Sequence, residues 1–385
     1  MMRAIWLFLV IPVGALVAIG LGALDFMATA RAPGPGAASS SRIEIAPTSV
    51  ALTFARSDGR TIAVTTYDAG RARAVALDAL LAPGEDAIGL INRLGYDAVQ
   101  AEIERAATSI EITASDLDIP VDLGREHIAV GTNYRQHAEE AAIEGGPFLF
   151  PKYVQPTSPH APIPMGEALL DYEVELCLVT MRPLPPAERA SGGLILCNDI
   201  TDRATLLREL DPESPESGDG FTSGKSAPGF LPVGDLFVVP RDISAFAHGL
   251  ELQLSVNGVE RQRSPVSLWI WDIDRILVES SQLRDRSWAF GNEVARLPYS
   301  ADGSVPERTL VLTGTPGGTV FKGIYPSAYV RGGVAWLAVG WDRSLPEHVV
   351  ESHIATARAS GAYLRPGDLV TIRVDQLGSL ANPVE

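Results

Sequence analysis

Short apolar stretches that alternate with polar positions, cut by glycine and proline, dominate this chain from Ile43 onward. In SVALTFARSDGRTIAVTTY the alternation has period two on both sides of Ser57-Asp58-Gly59, which predicts a hairpin turning there. Segments 74–81 and 86–107 read as helices, the second through Ile88, Ile91, Leu94, Val99 and Ile103. Beyond Ile128, strand-like runs are expected at 174–180, 193–198, 236–239, 250–256, 309–313 and 369–374, separated by Pro/Gly turns. Helices are expected at 267–283, opened by Ser264-Pro265, and from Pro346 to Ser360. Strands that do not alternate regularly with helices predict a β-rich α+β fold and not repeated βαβ units. The reading divides the chain into a small N-terminal α+β domain at 43–125 and a larger unit at 126–385.

The first 42 residues stand apart. Ala4 to Leu24 contains no charged residue, an apolar run of 21 residues behind Arg3. A spanning helix needs ~20 residues and a signal core ~7–15, so length points to an anchor. Ala28-Thr29-Ala30 nevertheless has the small-x-small form of a cleavage site. Gly14, Ala18 and Gly22 read as the ordinary content of a helix rich in small residues, not as a pairing seam. Residues 31–42 (RAPGPGAASSSR) form a linker with nothing to bury. The expectation is a protein that leaves the cytoplasm for the periplasmic or extracytoplasmic side, anchored in the membrane or cleaved from its leader.

Composition narrows the function classes. The formal charge of −16 argues against nucleic acid, whose phosphates are bound by clustered Lys and Arg. Only three lysines occur, Lys152, Lys225 and Lys322, so each is a departure from an arginine habit. Two cysteines, Cys177 and Cys197, are too few for a disulfide scaffold, and no CxxC supplies a zinc site. By strand parity both sulfurs face the same side as Glu175 and Asp199, where they read as small core residues.

Four constellations carry candidate chemistry. In DYEVEL, Glu173 and Glu175 are alternate strand residues on one face, ~6–7 Å apart, where like charges repel unless a cation or proton intervenes. Asp199 ends a second apolar run, and three carboxylates without a histidine cluster suit Mg²⁺ or Mn²⁺. In GTNYRQHAEE a short helix, capped by Thr132 or Asn133 and stopped at Gly145-Gly146, would let His137 and Glu140 meet as a base and its orienter. Lys225 in GKSAP lacks the spacing of a phosphate loop and suggests a point charge against an anionic substrate or enolate. LTGTPGG ends a strand in a turn that offers hydroxyl and N–H groups to a carboxylate.

In this order the segments GTNYRQHAEE, YEVEL, NDITDR, GKSAPGFLPVG and LTGTPGG resemble the fumarylacetoacetate hydrolase family, as do VNGVERQ and LRPGDLVTIRVDQLGSLANPV. The resemblance covers residues 128–384. It implies the family's mixed β-sandwich roll, a homodimer and a divalent metal held by Glu173, Glu175 and Asp199. It further implies Lys225 as the cation beside a bound oxo-acid, Thr315 as a contact for the substrate carboxylate, and His137 with Glu140 as the catalytic pair. Arg203 would neutralise a substrate charge or hold Asp199. One departure is large: residues 319–364 intervene where the family usually runs directly to its P-G-D turn.

The activity these residues lead one to expect is hydrolysis of a C–C bond in a small β-dicarbonyl acid such as an acylpyruvate. The alternative is decarboxylation, hydration or tautomerisation of an oxo-acid through the same enolate. A non-catalytic, anchored dicarboxylate-binding protein would have no need of His137 or Lys225, and both are present.

Overall fold

The expected hairpin forms: strands β1 (Ala51–Ser57) and β2 (Arg60–Asp68) pair antiparallel, with Ser57 opposite Arg60. Asp58 and Gly59 between them have φ of 49° and 73°, the pair of positive values that a tight type I′ hairpin requires. The computed structural model describes residues 42–385 except 69, 187 and 340–342. Strand β3 (Arg71–Ala76) continues the meander, which corrects the helix expected at 74–81. Arg71 and Arg73 point out while Ala72 and Ala74 are buried, a period-two pattern that alanine's helix preference disguises. Helices α1 (Ala87–Leu94) and α2 (Tyr96–Arg105) then replace the single helix expected, broken at Gly95 with φ 81°. Strand β4 (Ile110–Thr113) closes that edge against β3.

The later elements are β5 (Glu126–Gly131), α3 (Arg135–Ala141), β6 (Phe148–Tyr153), β7 (Val174–Thr180) and β8 (Gly192–Asn198). They continue with α4 (Arg203–Glu209), α5 (Phe221–Lys225), β9 (Phe237–Pro240), β10 (Glu251–Val256) and β11 (Val259–Pro265). Next come α6 (Ile273–Gln282), β12 (Leu310–Leu312), α7 (Pro326–Val339), α8 (Leu345–Ser360), β13 (Leu369–Val374) and β14 (Gly378–Pro383). Helix α6 is shorter than the expected 267–283, because Val266–Leu268 forms a separate 3₁₀ turn and Asp272 caps the helix proper.

Two sheets result. The larger has the order β4-β3-β2-β1-β9-β8-β7-β12-β5-β6, and among these pairs only β12–β5 is parallel. The N-terminal strands thus join the same sheet as the rest of the chain, through β1 against β9. The smaller sheet, β11-β10-β13-β14, is antiparallel throughout. The architecture is a β-rich α+β fold.

Strands β7 and β8 are buried along their whole length. Val174, Leu176 and Leu178 face an apolar cluster shared with Leu252, Leu254 and Ile372 of the smaller sheet. Cys177 and Val179 face the opposite cluster, which includes Ile88, Ile91, Val99 and Ile103 of α1 and α2. Burial of each such aliphatic side chain contributes ~1.5–3 kcal/mol, which pins the two strands that carry the site. Cys177 and Cys197 are not separate core residues: they are joined in a disulfide with Cα atoms 6.1 Å apart. The register sets Glu175 opposite Cys197 and Cys177 opposite Ile195, so the sulfurs are diagonal neighbours on one face.

Residues 319–364 contribute the helical hairpin α7–α8. Helix α8 opens with a capping box, in which Ser344 and Glu347 bond each other's backbone N–H, and ends at Gly361 with φ 63°. It docks on α4, where Arg208 donates to both oxygens of Glu351 at 2.6 and 3.0 Å.

Candidate active site

Glu173 and Glu175 flank the first residue of β7, and Asp199 follows the last residue of β8. The backbone ties them together: Asp199 N donates to the Glu173 carbonyl at 2.9 Å, and Glu173 N donates to Asn198 Oδ1 at 3.1 Å. Each of the three buried carboxylates offers an oxygen within 4.8 Å of the others. Lys225, at the end of α5, donates to Glu173 at 2.7 Å and Asp199 at 2.8 Å. Arg203, at the start of α4, donates to Glu173 at 2.6 Å and to Asp171 at 2.9 Å. It holds Glu173 and Asp171, therefore, and not Asp199.

Two members of this cluster escaped the sequence reading. Lys152 on β6 is wholly buried and donates to the second oxygen of Asp199 at 2.6 Å, as well as to the Lys225 carbonyl. Asp171 accepts from Arg203 and from the backbone of Val320 and Phe321 at 2.9 and 3.1 Å, which fastens the start of the 319–364 segment to the site. The available signal was parity, since Lys152 shares a strand face with Phe148 and Phe150, an apolar row in which a lysine needs a partner.

The charges do not balance. Asp171, Glu173, Glu175 and Asp199 meet Lys152, Lys225 and Arg203, four carboxylates against three cations. Burial opposes ionisation of Glu173, but Lys225 and Arg203 outweigh it and hold this carboxyl below the usual range. Burial also pulls Lys225 down, yet Asp199 and Glu173 keep it above the usual lysine value. Glu175 receives one backbone donor, Gly314 N at 2.7 Å. Its burial, and then the neighbouring Asp199 and Glu173, push it well above the carboxylate range. An acidic triad with one uncompensated member and only oxygen donors fits a hard divalent cation.

His137, on α3, lines the same cavity as Glu173, Arg203, Lys225 and Thr315. Burial lowers its pKa to about 4, so the imidazole is neutral at pH 7, and its Nδ1 has no partner among the described residues. Glu140 does not orient it. The Glu140 carboxylate instead accepts from Gly318 N at 2.8 Å, from Lys322 and from Gln136 at 3.3 Å. Nor do Thr132 or Asn133 cap α3, whose cap position is Tyr134 and whose end is the left-handed Ala142. Asn133 is used elsewhere, donating to the carbonyls of Trp271 and Thr313 at 2.9 and 2.7 Å. The Thr315 hydroxyl, on the cavity wall, donates to the Val174 carbonyl at 2.9 Å and accepts from Gln262 at 2.8 Å.

Residues 126–385 match the family model for the fumarylacetoacetate hydrolase C-terminal domain, well over half of the chain. The chain belongs to the fumarylacetoacetate hydrolase family. It is 22% identical over 293 residues to a fumarylacetoacetate hydrolase domain-containing protein 2 homolog of Dictyostelium discoideum, a match covering 72% of this chain and 76% of that one. It is 30% identical over 207 residues to a mitochondrial oxaloacetate tautomerase of Caenorhabditis elegans, covering 51% and 85%. Among solved structures, a fumarylacetoacetate hydrolase of Exiguobacterium antarcticum is similar with a TM-score of 0.52 at 22% identity, covering 88% of this chain and 99% of that one. At that identity the likeness establishes the shared fold. This membership places the chain among enzymes whose named reactions include hydrolysis, tautomerisation and decarboxylation.

The location expected from the leader is corrected by the relatives. Two of them are named as mitochondrial enzymes, and neither name describes an anchored or exported protein. Among the described residues no helix is long and apolar enough to cross a membrane, and the apolar run at 4–24 lies outside them.

Proposed function

We propose that this family member is a metal-dependent hydrolase of the C–C bond in a small β-dicarbonyl acid of the acylpyruvate type. The observation that carries the reading is one cavity lined by Glu173 of the acidic triad, a charged Lys225 and a neutral His137 whose Nδ1 has no partner among the described residues. Mg²⁺ or Mn²⁺ held by Glu173, Glu175 and Asp199 would supply a Lewis acid for the oxo-acid head. His137 takes a proton from water, and the resulting hydroxide adds to the distal carbonyl. The bond between that carbon and the methylene then breaks, its electron pair passing into the enolate of the departing oxo-acid, which is protonated to the free acid. Lys225 sets a fixed positive charge where the enolate develops. Arg203, held by Asp171 and Glu173, keeps the cluster in place, and Thr315 presents its wall to the substrate carboxylate.

One observation favours a second reading. With Glu140 engaged by Lys322 and Gly318, His137 lacks an orienting carboxylate, and a lone base suffices to move a proton between carbon and oxygen in a tautomerase. Product analysis separates the readings. Acylpyruvates and oxaloacetate are given with Mg²⁺ to the wild type and to His137→Ala. Hydrolysis should fall ~10²–10⁴-fold in the variant, and decarboxylation much less. Equal losses, or wild-type tautomerisation without cleavage, contradict the hydrolase reading.

A further inference from the structure

The cavity that holds the site is far larger than its head groups need. Its volume is about 830 Å³, in the ~300–1,000 Å³ range of sites that enclose drug-sized ligands. Beyond His137 and Arg203 its wall turns apolar. Leu206 and Leu207 stand one turn along α4 from Arg203, and so lead away from the carboxylates on the same helix face. Leu210, Ile143 and Ile324 extend this wall, and Val350 of α8 closes it from the inserted hairpin.

The charged groups at this end are matched in number, Arg208 and Arg343 against Glu347 and Glu351. Arg208 and Glu351 neutralise each other across the α4–α8 contact. Arg343 stands exposed on the cavity's rim, where its charge acts on Glu347 and Glu351. A ligand with a carboxylate at its far end would meet two acids beside two arginines, with no excess positive charge to hold it, and then an apolar wall.

We infer that the substrate's far end is an apolar acyl chain, seated between α4 and the inserted hairpin α7–α8, and not a second carboxylate. This rests on the oxo-acid reading of the head site. It assigns the inserted segment a role in specificity, through Ile324 and Val350.

The test is calorimetric binding to the full chain with Mg²⁺ present, using 2-oxo acids that lack the second carbonyl and so are not cleaved as β-dicarbonyls. From 2-oxopentanoate through 2-oxoheptanoate to 2-oxononanoate, Kd should fall about fourfold per methylene, on the order of 10²-fold in all. The diacid 2-oxoheptanedioate, equal in length to 2-oxoheptanoate, should bind at least about tenfold more weakly. Val350→Asp should flatten the dependence on chain length, and Val350→Ala, the milder change, should reduce it. If every acid binds but longer chains gain nothing, or the diacid binds more tightly, the acyl-chain inference is overturned and the oxo-acid reading stands. If none binds with Mg²⁺, the oxo-acid reading fails and takes this inference with it.

Discussion

Asp86 and Glu175 are both buried carboxylates, and the protein finishes them in opposite ways. Asp86 caps α1 by accepting from Ile88 N and Gly89 N at 3.1 and 3.2 Å, accepts from Asp122 N at 3.0 Å, and is held by Arg308 at 2.6 and 3.1 Å. Burial opposes its charge, but Arg308 and the backbone donors more than offset that and hold its carboxyl below the usual range. Glu175 has Gly314 N and two neighbouring acids, and lies well above that range. A carboxylate with a structural role is satisfied by its own chain. One that awaits a cation from outside is left incomplete.

That contrast can be broken by mutation. The largest effect is expected from Asp86→Ala, which removes a helix cap and strands Arg308, at ~2–4 kcal/mol of stability in urea unfolding. Turnover per folded molecule should not change, and a loss below ~1 kcal/mol would mean that the network is ornamental. The pH dependence has a definite sign. Since the folded carboxyl of Asp86 is depressed, its contribution is present above the ordinary aspartate value near ~4 and fades as the pH falls below it. A smaller effect is expected from Glu175→Gln in the metal-free protein. Burial and its acidic neighbours already favour the neutral carboxyl there, so a neutral amide should leave stability within ~1 kcal/mol of the wild type or raise it. A loss beyond ~2 kcal/mol would show that Glu175 is a structural acid like Asp86.

Much of this site was legible because strand parity is a local rule. The run at 174–180 is β7, and alternation put Glu173 and Glu175 on one face, while Asp199 was marked by its place at the end of a second apolar run. The hairpin at Asp58-Gly59 was legible because that dipeptide accepts positive φ. What stayed hidden was decided at long range. Nothing near Glu140 in sequence announces that Lys322, 182 residues on, will take its carboxylate. The partners of Lys152 are set by sheet order, which no local pattern encodes. The helix misread at 74–81 has a different cause. Its alanines favour a helix locally, and pairing with β2 and β4 overrides that preference.

The central claim, that the unfinished carboxylate cluster is a metal site, is tested most directly by titrating the full chain and its Glu173→Ala variant with Mn²⁺ or Mg²⁺ in a calorimeter. Circular dichroism should show that both are folded. One ion per chain is expected in the wild type and none at this site in the variant. An unchanged affinity in a folded Glu173→Ala protein would contradict that.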